Sequence, residues 1–326
     1  MYFPFITRRT PATAVDIPEL SFRPLRLTDM AATAAILRYS GSRACDYTVG
    51  GLFMWADCFR YRRCFHRGTL FISGVAENDP AVTAFSLPCG DLPVADALEL
   101  IARYCRFKGI APVLTAVPED RLDAVRAALP RATVTPLDDW ADYIYDINDL
   151  ATLRGKRLMR KRNHYNRFMA DNPRWRFEAL THEQLPEASL FLAGCVHSAA
   201  DTAPSDAPVS PYESYEHDAC REVLAHFAAY PFEGAVLRDD SGEIAAFSVG
   251  EVIGDTLHVH IEKINHSVSG AGAAICKLFA AYMLRRHPSL RYVNRQEDCG
   301  DPGLRQAKES FAPLTKLTKY NVAFNL

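Results

Sequence analysis

Thr256-Leu-His-Val-His-Ile-Glu-Lys263 runs almost directly into Asn265-His-Ser-Val-Ser-Gly270-Ala-Gly272, and a long amphipathic segment, Ala271 to Arg286, follows. The first block alternates apolar and polar residues, which is the period of a strand. It predicts Leu257, Val259 and Ile261 on one face and His258, His260 and Glu262 on the other. The second block places a Gly-x-Gly turn between that strand and a helix N-terminus. Backbone N–H groups exposed there, at the positive end of the helix dipole, suit an anion such as a pyrophosphate. A dinucleotide-binding fold would need its glycines after an opening parallel strand and a ribose-binding acid roughly 20 residues on, which this arrangement does not provide.

Working outward, strands are predicted at Trp175 to Leu180, Gly234 to Arg238 and Ile244 to Ile253, with helices around Gln184 to His197 and near Tyr215 to Tyr230. Downstream come a strand at Leu290 to Asn294, a helix at Leu304 to Ser310 and a closing strand from Thr315 to Phe324. The first half gives a similar order. A short strand at 22–28 leads to Thr28-Asp29, a helix cap before Met30 to Tyr39. Leu52-Phe-Met-Trp55 and strands at Thr69 to Val75 and Ala81 to Leu87 follow, then a helix from Pro93 to Lys108 closed by Gly109. Strand Pro112 to Val117 and helix Glu119 to Leu129 complete it. The same α/β pattern with a mixed, largely antiparallel sheet thus occurs twice. We expect domains at 1–140 and 173–326, joined by a basic helical region at 141–172. The Pro/Ala/Ser-rich loop Ala199 to Pro211 reads as a lid or a plain excursion.

The joining region carries Arg154-Gly-Lys-Arg-Leu-Met-Arg-Lys-Arg-Asn-His-Tyr-Asn-Arg167, with seven basic residues in a chain of net charge −2. Without them the chain has 30 basic against 39 acidic residues, so its basicity is local. On a helical wheel Leu158, Tyr165 and Met169 form one stripe, with Lys156, Arg157, Arg160 and Arg167 roughly opposite. Such a face suits a polyanion, and equally a solvated linker helix. No apolar run approaches the roughly 20 residues of a bilayer span, and the start of the sequence lacks a signal-peptide pattern. Nine cysteines without a Cys-x-x-Cys pair read as reduced, buried thiols in a cytoplasmic protein. Cys58 and Cys64 near His66 are expected in a packed helix end, and no metal site is expected.

These residues carry a resemblance. The strand, Gly-x-Gly loop and helix of the second half resemble the acyl-CoA N-acyltransferase (GNAT-like) fold. The whole chain from about residue 20 is similar to the bacterial family related to the C-terminal domain of phosphatidylglycerol lysyltransferase, two such folds in tandem. Cys45-Asp-Tyr-Thr48 with Phe53-Met-Trp55, Asp142-Tyr-Ile-Tyr-Asp146, Arg154-Gly-Lys with Lys161-Arg-Asn-His-Tyr-Asn-Arg-Phe168, Tyr292-Val-Asn-Arg-Gln-Glu-Asp298 and Gly303-Leu-Arg-Gln-Ala-Lys308 carry it. Fem-type aminoacyltransferases share the tandem arrangement. The resemblance implies an acyl- or aminoacyl-transferase with acyl-CoA or aminoacyl-tRNA as donor, and a small molecule, peptide or lipid as acceptor. Two departures count against plain acetyl-CoA chemistry. Ser267 stands where the loop usually has Gln or Arg, and Phe311 where many acetyltransferases have an acidic Tyr. They leave open a rival reading, a non-catalytic module that binds an anionic ligand or RNA.

For amine attack on an ester or thioester, Glu262 is the expected base and His260 its reserve. The alternative for each is a sheet-face group paired to a neighbour. Ser267, Gly270, Ala271 and Gly272 are expected to hold the cofactor phosphates, with Asn294 and Arg295 at the end of the next strand. Arg295 would otherwise pair with Glu297 or Asp298. Arg305 and Lys308 share a helix face and would add to an anion site. Lys156, Arg157, Arg160, Lys161 and Arg167 would clamp tRNA or CoA phosphates.

Overall fold

A computed structural model describes residues 19–202 and 211–325, so most of the loop between 199 and 211 lies outside the described residues. The architecture is two mixed sheets flanked by helices, and each is GNAT-like. The first sheet runs Arg23–Pro24, Arg62–His66, Thr69–Ala76, Asp79–Phe85, Val113–Pro118, Lys319–Ala323, Thr133–Pro136, with Cys89–Gly90 paired to Thr69–Ala76. The second runs Thr315–Leu317, Asp142–Asp146, Tyr292–Asn294, Thr256–Ile264, Ile244–Ile253, Glu233–Arg238, Arg176–Ala179. In each sheet one neighbouring pair is parallel and the rest antiparallel. No described helix is long and apolar enough to cross a membrane.

Long apolar periods fixed most elements. Ile244–Ile253 and Ala271–Arg286 form where the pattern places them, and Gly109 closes the helix Val94–Lys108 in the left-handed conformation, φ 67°. Two expectations need correction. The segment around Cys64 is the strand Arg62–His66, not a helix end. The single closing strand is two strands in different sheets: Thr315–Leu317 joins the second, while Lys319–Ala323 crosses into the first between Val113–Pro118 and Thr133–Pro136. Reciprocally, Asp142–Asp146, expected in the linker, is an inner strand of the second sheet. A cut at residue 140 therefore separates Lys319–Ala323 from the first sheet, and a cut at 173 also separates Asp142–Asp146 from the second.

The second sheet has a different cover on each face. Phe279 and Met283 of the helix Ala271–Arg286 pack on Leu257, Val259 and Val293. On the other face Val249, Phe247 and Ile261 join Leu192, Val223 and Leu224 in a core continuous with the first domain. Leu257 and Ile261 would share a face under strict alternation, and a β-bulge explains why they do not. Val249 pairs with Ile261 and Gly250 with Val259, leaving His260 as the extra residue. Gly250 makes the bulge feasible, because a Cβ there would meet the His258 carbonyl oxygen. Beyond the bulge the alternation inverts. Glu262 then points with Leu257 and Val259, while Ile261 stays with His258 and His260.

Candidate active site

The parallel strands Thr256–Ile264 and Tyr292–Asn294 pair at only three positions, the last being His258 with Asn294. Beyond it the chain turns away through Gln296, a non-glycine residue at φ 60°. The turn is held on every side. Asn294 Oδ1 accepts from the Gln296 amide at 2.6 Å, and Asn294 Nδ2 donates to Asp142 Oδ2 at 2.8 Å and to the Arg43 carbonyl at 2.7 Å. Lys308 Nζ donates to the carbonyls of Arg295, at 2.7 Å, and Glu297. Arg305 clamps Asp298 at 2.8 and 2.9 Å and Asp139 at 2.8 Å. Asn294, Lys308 and Arg305, expected to meet a ligand, are instead committed to building this turn.

The turn opens a cleft on the face covered by Ala271–Arg286. Here Arg295 and Glu262 pair with each other, Nη2 to Oε1 at 2.6 Å, in place of the expected Glu297 or Asp298. Arg295 lies 4.6 Å above the Phe311 ring, and Lys161 of the basic helix Met159–Asp171 lies 4.1 Å from the same ring. Burial, and then Arg295, lower the Lys161 pKa. Two cations thus share one ring, and one of them pairs with Glu262. Arg295 Nη1 is buried with no acceptor, and Glu262 Oε2 takes no hydrogen bond among the described residues. Both side chains line a narrow apolar cavity with Leu150, Leu257, Val259, Cys276, Phe279 and Val293. Burial pushes the Cys276 thiol up to about 12, so it is inert.

His260 belongs to the opposite face. Its side chain is fully buried; Nε2 lies 2.8 Å from Glu251 Oε1 and Nδ1 2.8 Å from Gln296 Nε2. Glu251 also accepts from the Gly50 amide at 2.8 Å, and any Cβ on Gly50 would overlap the imidazole. Burial raises the Glu251 pKa, but the His260 and Gly50 hydrogen bonds outweigh it and hold the carboxylate below its ordinary value. Both His260 nitrogens are therefore occupied, and the bulge has taken it out of reach of the cleft. Burial, and then His260, hold neighbouring His258 neutral down to about pH 4.

Beside this chain lies a junction that sequence reasoning missed. Lys319 Nζ sits 2.7 Å from Asp46, 3.0 Å from Asp142, 3.7 Å from Glu297 and 3.3 Å from Cys45 Sγ. Cys45, Asp142 and Glu297 cluster closely enough to ligate a metal, but the cation among them is the lysine ammonium. The motif residues Cys45-Asp46, Asp142 and Gln296-Glu297 thus converge where the two domains meet.

The basic helix begins only at Met159, so Lys156 and Arg157, expected on its cationic face, precede it, while its apolar stripe packs as expected. Phe168 is fully buried, and Tyr165 and Met169 pack beside it on Ala271–Arg286. Arg157 donates to the carbonyls of Ala312 and Pro313 at 3.4 and 3.3 Å, and Arg167 pairs with Asp171 at 3.4 Å. Arg154, Lys156 and Arg160 are exposed. The same helix backs the Gly-x-Gly loop: Gly270, at φ 81°, lies so close to the His164 carbonyl oxygen that a Cβ there would overlap it. Ala271 is buried, Gly272 abuts Ile264, and Ser267 closes a turn on Asn265 Oδ1 through its amide (3.0 Å) and hydroxyl (2.6 Å). The carbonyl oxygen beside Gly270 makes this a less hospitable anion site than the sequence suggests.

Two mixed sheets, each with one parallel pair, make a tandem GNAT-like fold. The chain belongs to the family described as phosphatidylglycerol lysyltransferase, C-terminal, whose profile matches residues 37–323. A crystal structure of a conserved protein of unknown function from Bacteroides thetaiotaomicron is 29% identical, covering 94% of this chain and 100% of that one, with TM-score 0.83. The structure of L-PGS from Bacillus licheniformis gives TM-score 0.62 at 15% identity, covering 92% of each chain. FemX gives 0.56 at 10% identity, covering 94% of this chain and 97% of that one. No curated protein matches significantly.

Proposed function

We propose that the chain is an acyl- or aminoacyl-transferase acting in the Glu262–Arg295 cleft. The observation that carries this is the buried Arg295–Glu262 ion pair, which lines an apolar cavity and leaves one guanidinium N–H group without an acceptor. Glu262 takes the proton of an attacking amine or hydroxyl, and Arg295 Nη1, with Lys161 nearby, stabilises the oxyanion that forms on the donor carbonyl. The donor bond to oxygen or sulfur then breaks, and the proton passes to the leaving group. Phe311, unable to serve as an acid, is the platform on which the two cations rest.

For the donor, aminoacyl-tRNA fits better than acyl-CoA. Exposed Arg154, Lys156 and Arg160 offer phosphate contacts to a large polyanion, whereas the Gly270–Gly272 loop faces a backbone carbonyl. Such a donor would place the reaction in the cytoplasm. The test is a thermal-shift titration with acetyl-CoA beside bulk aminoacyl-tRNA, followed by transfer assays on the Glu262→Gln variant. A ligand at about a hundred times its Kd adds roughly 2.7 kcal/mol. We expect a salt-sensitive shift with tRNA, and a variant that binds donor without transferring. Binding with no turnover by the wild type would replace this reading with a non-catalytic binding module.

A further inference from the structure

We propose that Lys161 is an acylation site, an amine that acyl thioesters modify ahead of the other lysines of the chain. Its side chain is half-buried in the first turn of the basic helix, and its Nζ lies 4.1 Å from the centre of the Phe311 ring. Arg295 lies over the same ring at 4.6 Å. An ammonium gains from an aromatic face, but here the face is shared with a second cation that repels it. Arg295 takes the Glu262 carboxylate for itself at 2.6 Å. Among the described residues Lys161 Nζ has neither a carboxylate partner nor a hydrogen-bond acceptor. Partial burial without a counterion favours the uncharged amine, which is the nucleophilic form. Burial, Arg295 and Arg160 accordingly lower the Lys161 pKa, against the opposing influence of Cys276 and Glu262.

The other lysines are held differently. Lys263, Lys316 and Lys319 pair with carboxylates at 2.8, 2.9 and 2.7 Å, which keeps each charged. Lys277 and Lys308 donate to the carbonyls of Ala151 and Arg295, at 3.0 and 2.7 Å. Lys108 lies by two rings, Tyr104 and Phe107, which favour its cation, and Lys156 is exposed to water. Lys161 is the lysine sheltered from water yet given no partner to hold its proton. In the reaction Nζ releases one proton to solvent and attacks the thioester carbonyl. A C–N bond forms, the C–S bond breaks, and a second proton passes from the nitrogen to the departing thiolate. The product is a neutral amide, so the positive charge beside Arg295 is lost. The step takes no base from the chain, which makes it independent of transfer at Glu262.

The test exposes the full wild-type chain to S-acetyl-N-acetylcysteamine, a neutral thioester with no phosphate for the basic segment to attract. The protein is then unfolded and its remaining amines are capped with deuterated acetic anhydride. Fragmentation mass spectrometry reads the ratio of light to heavy acetyl at each lysine. At about pH 8, Lys161 should acetylate several times faster than exposed Lys156, and its rate should level off at a lower pH. In urea the two rates should converge, because the fold creates the difference. Labelling of Lys161 no faster than that of Lys156, or identical pH profiles for the two, would overturn the proposal. A difference that persists in urea would do the same, since it would belong to the local sequence and not to the Arg295–Phe311 surroundings.

Discussion

Glu297 shows how a single residue in this fold turns burial into pH dependence. It lies in the domain junction with Asp46 and Asp142, and Lys319 supplies one positive charge to all three carboxylates. Burial, and the charges of Asp142 and Asp46, push Glu297 up to about 7 from an ordinary value of 4.5, despite the pull of Lys319. The sign follows from proton linkage. Between pH 4.5 and 7 the folded chain retains a proton that the unfolded chain has released, so stability falls as pH rises through this window and levels off above it. Glu77, pushed up to about 7 mainly by burial, acts in the same direction. Glu297→Gln cannot ionise, so its stability relative to wild type should increase from pH 5 to pH 8. Urea midpoints of both proteins at the two pH values check this; a constant difference would mean that Glu297 titrates normally. In the sequence Glu262 and Lys161 stand out because each lies beside a local signal, a Gly loop or a basic run, and Arg295 because it follows a strand. Lys319 and Cys45 are 274 positions apart, and no local pattern marks a partnership that only the assembled fold creates.

At the scale of elements, the exchanged strands decide what can fold alone. Lys319–Ala323 fills the gap between Val113–Pro118 and Thr133–Pro136, so the first sheet is incomplete until the last residues of the chain are present. Removing residues 319–326 would expose two strand edges and leave the buried carboxylates of the junction without their cation, each a destabilising change. Chain 1–318 should therefore lose cooperative thermal unfolding and aggregate, and circular dichroism with size exclusion reads both effects. A truncated chain that stays monomeric and melts at the wild-type temperature would show that the exchange is dispensable. Hydrophobic period placed one closing strand at Thr315 to Phe324 without dividing it between the sheets, and it placed no strand at Asp142–Asp146. A five-residue alternating segment fits either edge equally well, and Asp142–Asp146 lay in a region whose charge drew attention to its helix. The bulge at His260 escaped for a related reason: alternation assumes an unbroken register, and Gly250 is the only sign that it breaks.

Across the whole molecule, positive charge is concentrated in one segment, 154–167, which spans the start of the basic helix and the residues before it. The chain has net charge −2, and without the seven basic residues of 154–167 it would be −9, which repels a polyanion. Within the segment, the chain's own structure already engages several of the seven. Arg162 donates to the carbonyls of Leu153, at 2.7 Å, and Gly155, at 3.2 Å; Arg157 reaches those of Ala312 and Pro313, and Arg167 pairs with Asp171. Lys161 lies over the Phe311 ring. Exposed Arg154, Lys156 and Arg160 remain as the residues best placed to replace counterions on a phosphate backbone. Each such contact contributes roughly 0.7 to 0.9 to the slope of log affinity against log salt. Changing all three to Gln should therefore lower that slope for tRNA by about 2, with weaker binding at low salt and little difference at high salt. Fluorescence anisotropy of labelled tRNA from about 50 to 200 mM salt measures it. An unchanged slope would move the RNA footprint off this segment, and with it the argument that favours aminoacyl-tRNA over acyl-CoA as donor.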